Sequence, residues 1–186
     1  STACGPVTPQ YQINSAAASL DIDGVQGTSL TPAVRVNCVG SSGAIHMTST
    51  PTNVGHPFDI ALAVGALVPQ SGGAYVSSHG QIANVPLAGV VFVSTGSGAS
   101  APIPWPGTLT IPYTATIPLT VSLQGFILDA SLADGIAFTQ GSQLNAVVGG
   151  TFPAGPTGDD ASAAITLGGT TCIPAVTFYG VAYTAI

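Results

Sequence analysis

Apolar residues in this chain recur at every second position in short runs, and almost nowhere at the spacing of a helix. Ala18, Leu20 and Ile22 alternate with Ser19, Asp21 and Asp23, and Asp23-Gly24 then makes a turn. Val34, Val36 and Cys38 repeat the pattern, followed by Ile45 and Met47 with His46 and Thr48 opposite. Phe58, Ile60, Leu62, Val64 and Ala66 form the longest regular stripe and predict a central strand. Shorter runs lie near 74–78, 81–85 and 90–94. Alternation resumes over 109–116 and 119–127, and further strands are expected at 135–139, 143–148 and 161–167. The stretch 95–107 (TGSGASAPIPWPG) predicts a long loop, because neither helix nor ladder tolerates that density of Gly and Pro. Residues 175–186 alternate to the end with both faces partly apolar, so this strand must pair within a sheet or be given to a neighbour. About a dozen short strands predict an all-β fold, an antiparallel β-sandwich or elaborated jelly roll, in a single domain over 1–186.

Composition sharpens this picture. Arg35 is the only fixed positive charge; Lys and Glu are absent, and all seven acidic residues are Asp. Charged residues make up 4% of the chain, against roughly 25% in ordinary soluble domains. Such a surface is mostly neutral hydroxyl and amide, or is covered by another molecule. One Arg and a net charge of −6 rule out the basic stripe that nucleic-acid binding needs. The longest clean apolar run, 60–68, is closed by Pro69, far short of the roughly 20 residues of a spanning helix. A membrane barrel usually carries aromatic girdles and charged loops, and 6% aromatics do not supply them. The Ser-Thr-Ala-Cys start without Met is what signal cleavage leaves, so a secreted, extracellular or cell-surface location is expected.

The candidate chemistry is sparse. Cys4, Cys38 and Cys172 have no metal-ligand spacing, and in an exported protein predict one disulfide of open connectivity plus an odd thiol. His46, His56 and His79 sit in no nucleophile motif, and no acid, base and nucleophile constellation is visible, so no catalytic residue or enzyme activity is expected. Asp21 and Asp23, on one strand face beside a turn, are candidate calcium ligands, with turn formation as the default role of such residues. Trp105, in Pro-Trp-Pro, reads either as a plug fixing its loop or as an interface residue, and the interface is preferred. With Tyr75, Tyr113 and Tyr183 it also suggests a sugar-stacking platform. Val176, Phe178, Tyr183 and Ile186 are further interface candidates on the last strand.

Two segments carry a resemblance. The run LQGFILD (123–129) followed by DGIAFTQGSQLNAVVG (134–149) resembles a hairpin near the C-terminus of secreted β-rich proteins of planctomycetes and myxobacteria. That likeness covers about a sixth of the chain, and implies secretion and a β-fold without catalytic residues. The closing strand is similar to the one that ends bacterial pilins with an immunoglobulin-like fold.

These features predict a structural subunit of an extracellular filament or surface lattice whose partners are copies of itself. An exposed strand edge is normally blunted with Lys or Pro, and this chain has no Lys. Strand addition between neighbours is the expected joint, with residues 1–22 as first-choice donor and 175–186 as second. The alternatives are a monomeric carbohydrate- or surface-binding sandwich with glycan partners, and a viral capsid jelly roll, ranked lower because it usually brings a basic arm.

Overall fold

The computed structural model describes residues 7–93 and 103–149, together with the backbone of two short strands near the C-terminus. In chain order the strands are β1 (Ser19–Ile22), β2 (Ala33–Cys38), β3 (Ser42–Thr48), β4 (Pro57–Val64), β5 (Tyr75–Val76), β6 (Ile82–Ala83) and β7 (Val91–Phe92). They continue with β8 (Ile103–Pro104), β9 (Thr108–Thr114), β10 (Leu119–Leu128), β11 (Ile136–Phe138), β12 (Ser142–Val147), β13 (Val176–Phe178) and β14 (Val181–Tyr183). The only helical segments among the described residues are single 3-10 turns at Pro51–Asn53 and Gln70–Gly72.

The fold is all-β. One sheet has the order β1-β3-β9; the largest runs β2-β12-β10-β4-β7, with β11 added to β10 and β8 to β4, and β5-β6 and β13-β14 are two-stranded. Pairing is antiparallel throughout the described strands except between β12 and β2, which run parallel. Register follows the alternation seen in the sequence. Leu20 lies opposite Met47 and Met47 opposite Leu109, while Ile22, Ile45 and Ile111 form the next rank. These face Phe58, Ile60, Leu123, Ile127 and Leu144 of the larger sheet, and together they make the main core. A slip of one residue would turn Asp21 and His46 inward, so the register is fixed by burial.

Three expectations change. The closing strand expected over 175–186 is two three-residue strands, β13 and β14, paired with each other. The loop expected over 95–107 contains strand β8 at its end, paired to Pro57 and Phe58, and residues 94–102 lie outside the described residues. The proposed donor 1–22 is partly core. Ala18, Leu20 and Ile22 are 0%, 0% and 1% exposed within their own chain. Giving β1 to a neighbour is therefore an exchange of a core strand, and Gln10, Gln12 and Asn14 ahead of it would lose their bonds to Ser71, Ile82 and Gln140. The expected strand at 161–167 lies outside the described residues.

Side-chain amides tie the pieces that strands do not. Gln124, buried on β10, accepts the Asn84 N–H at 2.7 Å and donates to the Ile82 and Thr139 carbonyls, each at 2.8 Å. Asn84, equally buried, donates to the Gln10 and Val68 carbonyls and accepts the Gln12 N–H. Gln140 accepts the Gly27 N–H and donates to the Val25 carbonyl. Gly125, next to Gln124, has no space for a side chain: a Cβ there would lie 2.5 Å from Met47 Cε. Replacing Gln124 with Met keeps the volume but strands one buried N–H and two carbonyls. Each orphaned group costs about 1–3 kcal/mol, so Gln124→Met is expected to lose at least about 2 kcal/mol in urea unfolding followed by circular dichroism.

Candidate functional site

The outer face of the larger sheet holds an apolar groove of about 440 Å³. Its floor is Ala61 and Phe126, and its walls include Val85, Val90, Phe92 and Phe138. Phe126 and Phe138 meet edge to face, with ring centroids 4.8 Å apart at 81°. Asp59 is the one ionisable residue on the lining, and it accepts the N–H of Ile60. Around the rim Leu87, Phe92 and Leu128 remain 65%, 43% and 47% exposed. The alternation explains the groove's origin. Phe58, Ile60 and Leu62 point into the sandwich, so Asp59, Ala61 and Ala63 line the opposite face, where small residues leave a hollow.

The sheet edges form a second candidate surface, and each is finished differently. Leu20 turns its backbone outward from β1, and the Asn14 amide caps both groups, accepting its N–H at 2.8 Å and donating to its carbonyl at 3.0 Å. The outer edge of β4 carries β7 and β8. On β2 the Cys38 carbonyl accepts the Ser41 N–H, leaving Val34 and Val36 outward. Strand β9 pairs with β3 on one side and, among the described residues, with no strand on the other.

Asp21 and Asp23 go to different partners. Asp21 accepts the Gly24 N–H at 2.6 Å, closing the predicted turn, and faces His46 Nδ1 at 3.1 Å. Asp23 has a left-handed backbone (φ 51°) and swings under β3. There it accepts the Ala44 N–H, the Tyr113 hydroxyl and Arg35 Nε. Gly43 makes this possible, since a Cβ there would meet the carboxylate at 2.5 Å. Burial alone would raise the Asp23 pKa, but the Ala44, Tyr113 and Arg35 contacts outweigh it and hold it below the usual carboxylate range. Burial, with the bond to Asp23, pushes the Tyr113 phenol up to about 12. Arg35 already supplies Asp23 with the positive charge that a cation would bring. Among the described residues no three His, Cys, Asp or Glu side chains gather in one place.

A polar cleft of about 540 Å³, lined by Gln12, Ser15, His79, Gln81 and Leu132 among others, lies at Asp134. The Asp134 side chain, 7% exposed, accepts from Gln81 Nε2, Ser77 Oγ, His79 Nδ1 and Ser78 Oγ at 2.7–3.1 Å. These bonds, that from Gln81 foremost, hold its carboxyl far below the ordinary range. Ser, His and Asp thus meet, yet Ser78 shares Nδ1 with Asp134 and does not approach the other ring nitrogen, so this is no nucleophile–base relay. Ser77, Ser78 and Gln81 fall in runs expected as short strands and His79 in no nucleophile motif; their convergence on Asp134 joins segments far apart in the chain.

Trp105 is a correction. It is 1% exposed, packs edge to face on Phe58 at 4.9 Å and belongs to the main core, so it is the plug and not an interface residue. The stacking platform does not assemble: Trp105 is buried, Tyr113 hydrogen-bonds Asp23, and Tyr75 stands 53% exposed on β5. The side chains of Val176, Phe178 and Tyr183 and all of Ile186, Cys4 and Cys172 lie outside the described residues. No family model, curated protein or solved structure matches this chain.

Asp134, Asp23 and Asp129 all titrate below an unfolded carboxylate, Asp129 through its bonds from Ser131 and Asn53. Their contribution to stability is therefore complete above about pH 4 and is lost as pH falls towards their folded values. Urea midpoints are expected to fall steeply from pH 5 to pH 2, and the slope should be shallower in Asp134→Asn. At the other end, Tyr113 contributes below about pH 10 and loses that contribution as pH rises towards 12.

Proposed function

We propose that this chain is a structural subunit of a self-assembling extracellular filament or surface lattice. The observation that carries the reading is the groove on the outer sheet face, with Leu87, Phe92 and Leu128 43–65% exposed and no Arg or Lys on its lining. Exposed apolar side chains grouped around an apolar groove mark a candidate contact surface. This chain has few charges with which to offset one, since its single Arg is tied to Asp23. Copies that bury this face against one another gain the area lost from water, roughly 25 cal/mol per Å² of apolar surface.

A second reading, a carbohydrate-binding module, draws on the cleft beside Asp134, where amide, hydroxyl and imidazole groups stand next to Leu132. The two readings differ in solution. Assembly predicts fibres or sheets in negative stain and large species in sizing that grow with concentration. The double variant Leu87→Ser with Phe92→Ser should reduce those species to small units while leaving the β-sheet circular dichroism unchanged. A discrete monomer at high concentration, with saturable binding to a glycan array, would favour the module.

A further inference from the structure

We propose that β9 is a joint between two copies of this chain, paired antiparallel about a two-fold axis at Ile111. The inference takes from the assembly reading only that copies meet copies. The joint itself stands on the backbone of β9.

The direction of each backbone group in the smaller sheet is fixed by two sets of bonds. The Asp23 N–H donates to the Ala44 carbonyl, so Ala44, His46 and Thr48 turn towards β1. Ile45 and its alternates then turn towards β9, where Ile45 lies opposite Ile111 and Met47 opposite Leu109. The bond from Ala115 N–H to the Ser41 carbonyl agrees with this phase. Thr108, Thr110, Pro112 and Thr114 are left with their backbone groups pointing away from the sheet. Pro112 confirms the phase, because it sits opposite Ala44 with its nitrogen on the outer side, where the ladder asks nothing of it.

Among the described residues this edge, unlike those of β1 and β4, has no cap. No described amide covers it as Asn14 covers Leu20, and no described short strand lies along it as β7 and β8 lie along β4. It carries no charge, and Leu109, Ile111 and Tyr113 on its inner face are only half buried. A second β9 suits it along its whole length. With the axis at Ile111, Thr108 meets the partner's Thr114 and Thr110 meets the partner's Pro112. Every ladder bond forms except the one that Pro112 of each copy cannot donate. Ile111 then stands against the partner's Ile111, completing the apolar rank that begins at Ile22. Outside, the cross-strand hydroxyl pairs Ser19 with Thr48 and Ser42 with Thr114 continue into the second copy.

A two-fold joint of this kind places Ile111 and its symmetry mate in a non-hydrogen-bonded pair, with Cα atoms about 4.5 Å apart, inside the range a disulfide spans. Mild oxidation of Ile111→Cys should give a covalent dimer on a non-reducing gel beyond any seen with wild type, and Thr108→Cys should not. Sedimentation equilibrium of the wild type should show a dimer, and Thr110→Lys, exposed on the edge, should raise its dissociation constant at least tenfold with circular dichroism unchanged. Equal cross-linking of Thr108→Cys and Ile111→Cys, or a dimer indifferent to Thr110→Lys, would overturn the joint. Fibres without the Ile111→Cys dimer sink the joint and leave the assembly reading standing; the dimer without fibres does the reverse.

Discussion

The amide of Gln124 is the contact on which the most separate parts of this molecule depend. Through one buried side chain, β10 is bonded to the Asn84 N–H, the Ile82 carbonyl and the Thr139 carbonyl, which ties β6 and the segment after it to the larger sheet. A chain with 4% charged residues has few ion pairs to spend on loops, and a buried backbone group left unpaired is costly. Neutral amides solve both problems, since each offers donors and an acceptor without a charge to desolvate. Gln10, Gln12, Asn14, Gln81, Asn84, Gln140 and Gln143 repeat the device, each bonding a backbone group distant in sequence. The cost is rigidity of choice. Gln cannot become Glu at such a position without burying a charge, and Gly125 cannot become Ala without moving Met47.

The few charges present are placed where they hold backbone. Asp23 and Asp134 each gather three or four donors, and each joins segments distant in the chain: β1 to β2, β3 and β9 in the first case, 77–81 to 134 in the second. Arg35 is drawn into the first of these networks, which explains how a single cation coexists with an acidic chain without serving as a ligand site. Among the described residues the contacts of Arg35 with Asp23 and of His46 with Asp21, part-exposed at both ends, contribute little by Coulomb attraction. What they add is geometry.

The strands were largely legible because two-residue alternation is a direct consequence of one buried face. β1, β4, β9, β10 and β12 fall where the alternation places them, within a residue or two, and β3 begins three residues ahead of Ile45. The parallel pairing of β2 with β12 was not legible, since nothing in either strand's pattern names its neighbour. The burial of Trp105 depends on Phe58, far away in sequence, which nothing in Pro-Trp-Pro announces. The Asp21-Ile22-Asp23 spacing predicts one strand face. The left-handed turn at Asp23 breaks that face and sends the second carboxylate to Tyr113. The segment 123–149 has generic turn and strand residues, yet it holds the last six residues of β10 with β11 and β12, the middle of the larger sheet, and its Gln124 and Gln140 are the amides just described.

A surface built this way should respond to solvent unlike an ordinary charged one. Salt weakens exposed ionic contacts over about a Debye length, but the groove has one carboxylate on its lining and β9 has no charged residue at all. Association through either surface rests on apolar burial and backbone bonds. The first strengthens with temperature from the cold and with excluded salts such as sulfate; the second is nearly indifferent to ionic strength. The same neutrality that removes Lys from the edges thus removes salt as a brake on association, leaving Pro112 and the Asn14 cap as the devices that limit where strands can join.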